Sequence, residues 1–169
     1  MATIQDVRAE NAPSRAYEFE FSLLGATASG NEPLLTQRVQ NTSIPSVENE
    51  VIEINFKSQK TMHVGRDSSP HTFNVTFWDD EEHTVYTFFK NWKENGLNSV
   101  VAGGGLTRDL YAAEAIIKLM AADSETTTME HRFTKVWPSS IGEVTLSYES
   151  SEHVSFDVTF SYDAHTIDK

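Results

Sequence analysis

His153-Val154-Ser155-Phe156-Asp157-Val158-Thr159-Phe160-Ser161-Tyr162 alternates without a break. Val154, Phe156, Val158, Phe160 and Tyr162 fall on one side, and Ser155, Asp157, Thr159 and Ser161 on the other. Successive side chains of a strand point to opposite faces, so this period predicts a strand with one buried and one wet face. The stretch before it, Glu143 to Glu149, repeats the pattern: Val144, Leu146 and Tyr148 against Glu143, Thr145, Ser147 and Glu149. Ser150-Ser151-Glu152 between them is short and polar, which predicts an antiparallel hairpin. An antiparallel, half-solvated sheet is therefore the expected framework.

The same signal recurs toward the N-terminus. Thr126 to Val136 is a β-branched, extended run. Leu110 to Ala122 reads two ways: its Leu, Ala, Glu, Lys and Met favour a helix, whereas a hairpin about Asp123 makes Ala112 to Met120 a strand. Phe73, Val75 and Phe77 share one face of Thr72 to Phe77. Val51 to Lys57 sets Ile52, Ile54 and Phe56 against Val51, Glu53, Asn55 and Lys57. Between these two strands lies a polar stretch, Ser58 to His71, with a turn signal at Gly65-Arg66-Asp67-Ser68; an extended hairpin or a projecting loop fits it. Ala16 to Leu24 alternates with Tyr17, Phe19, Phe21 and Leu23 on one side. Gly25 to Pro33 and Ser99 to Gly105 read as loops, Thr36 to Thr42 as extended chain, and Met1 to Ser14 as a polar N-terminal arm.

One helix is expected, from about Asp80 to Asn95. Asp79 or Asp80 suits its cap, Glu81 and Glu82 suit the positive end of the dipole, and Gly96 suits its stop. Val85, Phe88, Phe89 and Trp92 follow the i, i+3, i+4, i+7 spacing and form one apolar stripe. One β-rich domain over residues 1–169 with a single packed helix follows.

Composition excludes several functions. The 169 residues contain no cysteine, which removes disulfides, thiol catalysis and cysteine zinc sites. The formal net charge of −12 opposes phosphate binding through basic patches. No apolar stretch is long enough to span a bilayer, and the polar N-terminus has no signal-peptide core. Asp79-Asp80-Glu81-Glu82-His83 cannot converge on one ion, because neighbouring helical residues point in different directions. Gly103-Gly104-Gly105 is followed by Leu106-Thr107-Arg108 and lacks the Gly-Lys-Ser/Thr of a phosphate loop. The six histidines show no H-x-x-x-H spacing. No catalytic residue, cofactor or metal is expected, and the chain does not read as an enzyme.

Several segments in order resemble the tail-tube protein of contractile-tailed bacteriophages. The strongest is Val136-Trp137-Pro138-Ser139-Ser140-Ile141-Gly142-Glu143, followed by the strands ending in Phe156-Asp157-Val158-Thr159-Phe160-Ser161-Tyr162. Ile44-Pro45 followed by Val51-Ile52-Glu53-Ile54-Asn55-Phe56-Lys57 and a turn at Val64-Gly65 looks like that family's central hairpin. Phe73-Asn74-Val75-Thr76-Phe77 leading into Asp80-Glu81-Glu82-His83 and a helix ending near Trp92 is also similar. The likeness runs from about Tyr17 to Asp163, and the Gly-rich Asn98 to Asp109 departs from it.

The resemblance implies that Ala112 to Met120 is a strand. It implies an antiparallel β-sandwich or half-barrel with one flanking helix, six copies of which close into a hexameric β-barrel ring. Stacked rings would form the tail tube, a virion component assembled in the host cytoplasm. The implied partners are other copies of the chain, a tail sheath, baseplate and tail-terminator proteins, and DNA in passage through the lumen, with no membrane binding. Candidate lumen residues are Glu53, Asn55, Glu143, Thr145, Ser147, Asp157 and Thr159. Candidate inter-ring and inter-subunit contacts are Gln59, Lys60, His63, Arg66 and Asp67, in a projecting loop over 58–71. The related inner tubes of type VI secretion and bacteriocin-like injection systems are an alternative, as is a monomeric β-sandwich that binds ligands through Trp78 or Tyr111.

Overall fold

The computed structural model describes residues 14–25, 31–97, 107–121, 125–144, 146 and 153–169. Nine strands lie among them: β1 (Phe19–Leu24), β2 (Val39–Thr42), β3 (Asn49–Phe56), β4 (Gln59–Asp67), β5 (Thr72–Trp78), β6 (Ala113–Met120), β7 (Thr127–Ile141), β8 (Ser155–Ser161) and β9 (Ala164–Asp168). Seven of them form one antiparallel sheet in the order β1-β6-β7-β8-β5-β2, with β9 also on β7. β3 and β4 form a separate two-stranded sheet.

The alternation that predicted β8 is the alternation of burial. Phe156, Val158 and Phe160 are buried, and Asp157 is exposed. Register on β5 sets Phe73 opposite Phe160, Val75 opposite Val158 and Phe77 opposite Phe156, so three apolar pairs line one face of two central strands. Phe21 of β1 meets Phe77 of β5 at 6.1 Å between ring centroids. In a flat sheet strands four steps apart lie about 19 Å from one another. Their contact requires the sheet to curl round its core, as the half-barrel expectation had it.

The helix α2 (Thr84–Asn91) covers this core. Val85, Phe89 and Trp92 are buried, and Phe89 packs within 5.0 Å of Phe77 and 5.8 Å of Phe160. Asp79 and Asp80 cap it as expected, although both precede the N-cap position, which His83 occupies with φ 53°. Asp79 Oδ1 accepts from the Val85 N–H at 3.2 Å, and Asp80 Oδ1 from the Thr84 N–H at 2.8 Å. That second bond holds the Asp80 carboxyl below the usual carboxylate range. Glu81 and Glu82 lie in the turn before the helix rather than in its first turn. Gly96 does not stop the chain either: α2 continues as a π-helical turn over Trp92–Leu97.

Two further short helices depart from the single-helix expectation. α1 (Glu32–Gln37) has Pro33 in its first turn, where the missing N–H is no loss, so Glu32-Pro33 at the end of the predicted loop and the start of the predicted extended run form a helical turn followed by β2, while residues 26–30 of that loop lie outside the described residues. α3 (Arg108–Tyr111) occupies the start of the ambiguous segment, and Ala113–Met120 is a strand, as the resemblance implied. Helix propensity there yields to burial, since Ala113, Ala115, Ile116 and Ile117 are all buried.

The C-terminal hairpin pairs differently from the expectation. β8 has as its partner the end of β7, with Trp137 opposite Ser161 and Ile141 opposite Val158. Glu143, Val144 and Leu146 lie outside any strand, and Thr145 and residues 147–152 lie outside the described residues. Lys135, at φ 55°, marks the irregularity where β7 changes partners, from β6 on one side to β8 on the other. Beyond Val136 the β6 side of β7 is unpaired, which accommodates Pro138 in a strand. β9 was not foreseen. It keeps the offset of β8, so the two form one long partner of β7 interrupted at Tyr162-Asp163.

Candidate assembly surfaces

β3 and β4 project from the sheet as an arm. Phe56 pairs with Gln59, and the reversal is a two-residue turn with φ 55° at Lys57. The turn is therefore at Lys57-Ser58, not at Val64-Gly65, and 58–71 is mostly strand rather than a loop. Gly65 sits at a bulge: register shifts between Asn49 and Val51, and a Cβ on Gly65 would lie 2.8 Å from the Glu50 carbonyl oxygen. The glycine that reads as a turn signal permits a close backbone approach inside a strand.

Every residue of β3 is exposed. One face of the arm carries Ile52, Ile54 and Phe56 beside His63, Thr61 and Gln59; the other carries Val51, Glu53 and Asn55 beside Val64, Met62 and Lys60. Glu53 and Lys60 form an ion pair at 2.5 Å. Phe56 is 69% exposed and Val64 76%. An isolated two-stranded ribbon is marginal in water, and this one leaves large apolar side chains exposed on both of its faces.

A second surface is the polar face of β2, β5 and β8. Thr76 Oγ1 donates to Asp157 Oδ1 at 2.6 Å, and Asn74 stands opposite Thr159. Asn41, Thr42, Ser43, Asn74, Thr76 and Asp157 line a shallow hollow of about 280 Å³. Ser139 Oγ donates to the Thr159 carbonyl at 3.0 Å. The side chains here are short and uncharged or acidic, and the Thr42, Ser43 and Ser139 hydroxyls donate to backbone carbonyls of the neighbouring strands.

The predicted lumen residues divide between these surfaces. Asp157 and Thr159 lie on the polar sheet face, Glu53 and Asn55 on the arm, and Glu143 in an exposed segment after β7. Thr145 and Ser147 lie outside the described residues. Asn74 and Thr76 complete the polar face and escaped the sequence reading, although Phe73-Asn74-Val75-Thr76-Phe77 carries the same alternation as β8. The predicted contact residues Gln59, Lys60, His63, Arg66 and Asp67 all lie on β4. Ser69 donates to the Asp67 carboxylate at 2.6 Å and holds it below the usual range.

The third surface is a groove of about 520 Å³ between the two outer strands, lined by Tyr17, Phe19 and Phe21 on one side and Thr36, Val39 and Asn41 on the other. Among the described residues, β1 and β2 each pair on one side only. One face of the Trp78 ring is taken: the Arg38 guanidinium lies 4.0 Å above it and pairs with Asp80 at 3.5 Å.

Residues 11–168 match the family model described as phage tail tube protein. The chain belongs to the phage tail tube protein family. It is a structural component of the phage tail, not an enzyme. The tube subunit is 27% identical over 150 residues to the tail tube protein gp19 of Enterobacteria phage T4, covering 87% of this chain and 86% of that one. In fold it is similar to the tube-terminating cap of the anti-feeding prophage, with a TM-score of 0.70, 15% identity and 99% of each chain covered. It is likewise similar to a chain of the PVC sheath–tube complex of an extracellular contractile injection system in its extended state, with a TM-score of 0.65, 12% identity and 99% of each chain covered. These last likenesses are of fold; the family match and the T4 relative associate the subunit with phage tails.

Proposed function

We propose that six copies of this subunit close into a ring and that rings stack into the tube through which DNA leaves the capsid. The observation that carries this reading is the projecting β3–β4 arm, whose Ile52, Ile54 and Phe56 are uncovered although buried counterparts are available throughout the core. The outer edges of β1 and β2, unpaired among the described residues, support it, since ring closure removes sheet edges that otherwise invite uncontrolled pairing. Gln59, Lys60, His63, Arg66 and Asp67 of the arm make the contacts between subunits and rings, and head-to-tail stacking makes an open filament.

The polar face with Asn74, Thr76, Asp157 and Thr159 lines the bore, with Glu53, Asn55, Glu143, Thr145 and Ser147 as further lining residues. A net charge of −12 per subunit repels phosphate, so DNA slides through without adhering. The outer surface takes a sheath, by analogy with the PVC sheath–tube complex whose chain it is similar to in fold, and the tube ends meet baseplate and terminator proteins.

Electron microscopy of the purified protein tests the ring: six-fold rings or tubes are expected, and monomeric particles at all concentrations overturn it. Deleting Gln59 to Asp67 tests the arm. Because β3 and β4 form their own sheet, the seven-stranded core should fold and tubes should be absent. Normal tubes from that deletion refute the contact assignment.

A further inference from the structure

We infer that β9 is an acid-released latch on β7, held shut by the hydrogen-bonded pair His131 and His165. His131 Nδ1 lies 2.9 Å from His165 Nε2, a distance at which one ring donates and the other accepts. The rings stack at 5.1 Å, and His165 also stacks on Phe133 at 4.5 Å with 14° between planes. His131 is 5% exposed, and its second nitrogen, Nε2, is buried without a hydrogen-bond partner. Of the five residues of β9, His165 alone is half-buried; Ala164, Thr166, Ile167 and Asp168 are exposed. Besides its backbone ladder to Glu130–Thr134, β9 thus holds to the sheet chiefly through His165, with Ile167 on the same face only half covered.

Protonation breaks this arrangement in two ways. A doubly protonated pair has two donors facing each other and no acceptor between them. A charged His131 also places an N–H and a positive charge in a buried site that offers neither acceptor nor counter-charge. Burial already holds both imidazoles below the usual histidine range, with His131 adding to the effect on His165.

The surroundings supply no compensating acid among the described residues. Ile117 of β6 stands opposite His131, and Ile167 of β9 flanks it on the other side. Glu130, Arg132, Glu114 and Lys118 alternate onto the opposite face, where Arg132 engages Glu114 at 3.0 Å and Glu130 at 2.8 Å. Asp168 is exposed, and Asp163 pairs with Arg108 at 3.0 Å. From the end of β8, the Tyr162 ring lies 6.2 Å from His165, and burial keeps its phenol neutral. Behind Tyr162 are His71, at 5.4 Å, and its partner Asp67.

The sign of the effect follows. Released β9 frees both imidazoles to protonate from about pH 6.5, whereas the docked pair stays neutral to lower pH. Docking is therefore fully maintained above that value and weakens as pH falls, by up to about a hundredfold per pH unit if both rings take up a proton. Release uncovers the β7 edge at Glu130–Thr134 as a site for another strand.

Hydrogen exchange of the full chain, read by mass spectrometry at pH 7.5 and 5.5 and corrected for intrinsic rates, tests this. In the wild type, exchange at residues 164–168 should accelerate at least tenfold at pH 5.5, while residues 72–78 stay protected. The double variant His131→Leu, His165→Phe keeps an apolar anchor without a titrating group and should show no such change. A pH-independent wild type, or a variant with the wild-type pH response, overturns the latch. Should the variant not fold, imidazole titration of the wild type by NMR decides: His131 and His165 should titrate below the usual histidine range, and titration within that range refutes the inference.

Discussion

Replacing Ile52, Ile54 and Phe56 together by threonine separates assembly from folding. Threonine retains the preference for extended chain, so β3 should still pair with β4. In the free subunit these side chains are 49%, 51% and 69% exposed, so half or more of each remains to be covered by another copy. Full burial of such a side chain stabilises by about 1.5–3 kcal/mol, and the uncovered share of the three, less what threonine retains, comes to about 3 kcal/mol per contact. An association weakened by about 3 kcal/mol needs roughly 150 times more protein. The assay is the critical concentration for tube formation, by sedimentation and electron microscopy. It should rise about a hundredfold, while the melting temperature of the unassembled subunit moves by only a few degrees. Tubes at the wild-type concentration would show that this apolar face is not an assembly contact.

Gly65→Ala should strain the bulge by about 1–3 kcal/mol, because its Cβ would meet the Glu50 carbonyl at 2.8 Å; faster amide exchange confined to β3 and β4 is the readout. Phe160→Ala removes a fully buried ring in contact with Phe21, Phe73 and Phe89, at a cost of about 3–5 kcal/mol, and calorimetry should find the unassembled subunit melting about 10 °C lower. Asp79→Ala leaves the Val85 N–H without its acceptor and should cost about 1–2 kcal/mol in the same measurement. Asp80, whose carboxyl is held low by the Thr84 N–H, contributes stability above about pH 3.9 that is lost as pH falls through its depressed value, so Asp80→Asn should flatten the acid limb of the melting profile.

The strands with one buried face were legible because their alternation is the physical record of burial. Phe156, Val158 and Phe160 predicted β8, and Phe73, Val75 and Phe77 predicted β5. Partners were less legible than strands. Glu143 to Glu149 alternates as well as any segment, yet β8 pairs with Trp137–Ile141, since periodicity records which residues face inward and not which backbone lies alongside. β9 left almost no trace because His165 is its one residue that is not exposed, and a single half-buried residue makes no alternation. Composition left Ala113–Met120 open between helix and strand until the resemblance pointed to a strand: small and straight-chain residues suit a helix in isolation, but here they fill a sheet's interior.

The arm shows why the assembly surfaces were the hardest part. Val51 to Lys57 alternates between apolar and polar like a half-buried strand, and within one copy the whole of β3 is exposed. Alternation that the core does not explain has two sources: chance, or a face that is buried only when another molecule arrives. Chance does not account for the matching register, which sets Val51 against Val64 and Glu53 beside Lys60 across a bulge that requires Gly65. A ribbon this regular, built to leave large apolar side chains in water, costs solubility unless it is covered. The sequence pattern and the exposure are therefore one observation seen at two levels, and together they motivate the proposal that this surface is completed in the tube and not in the single subunit.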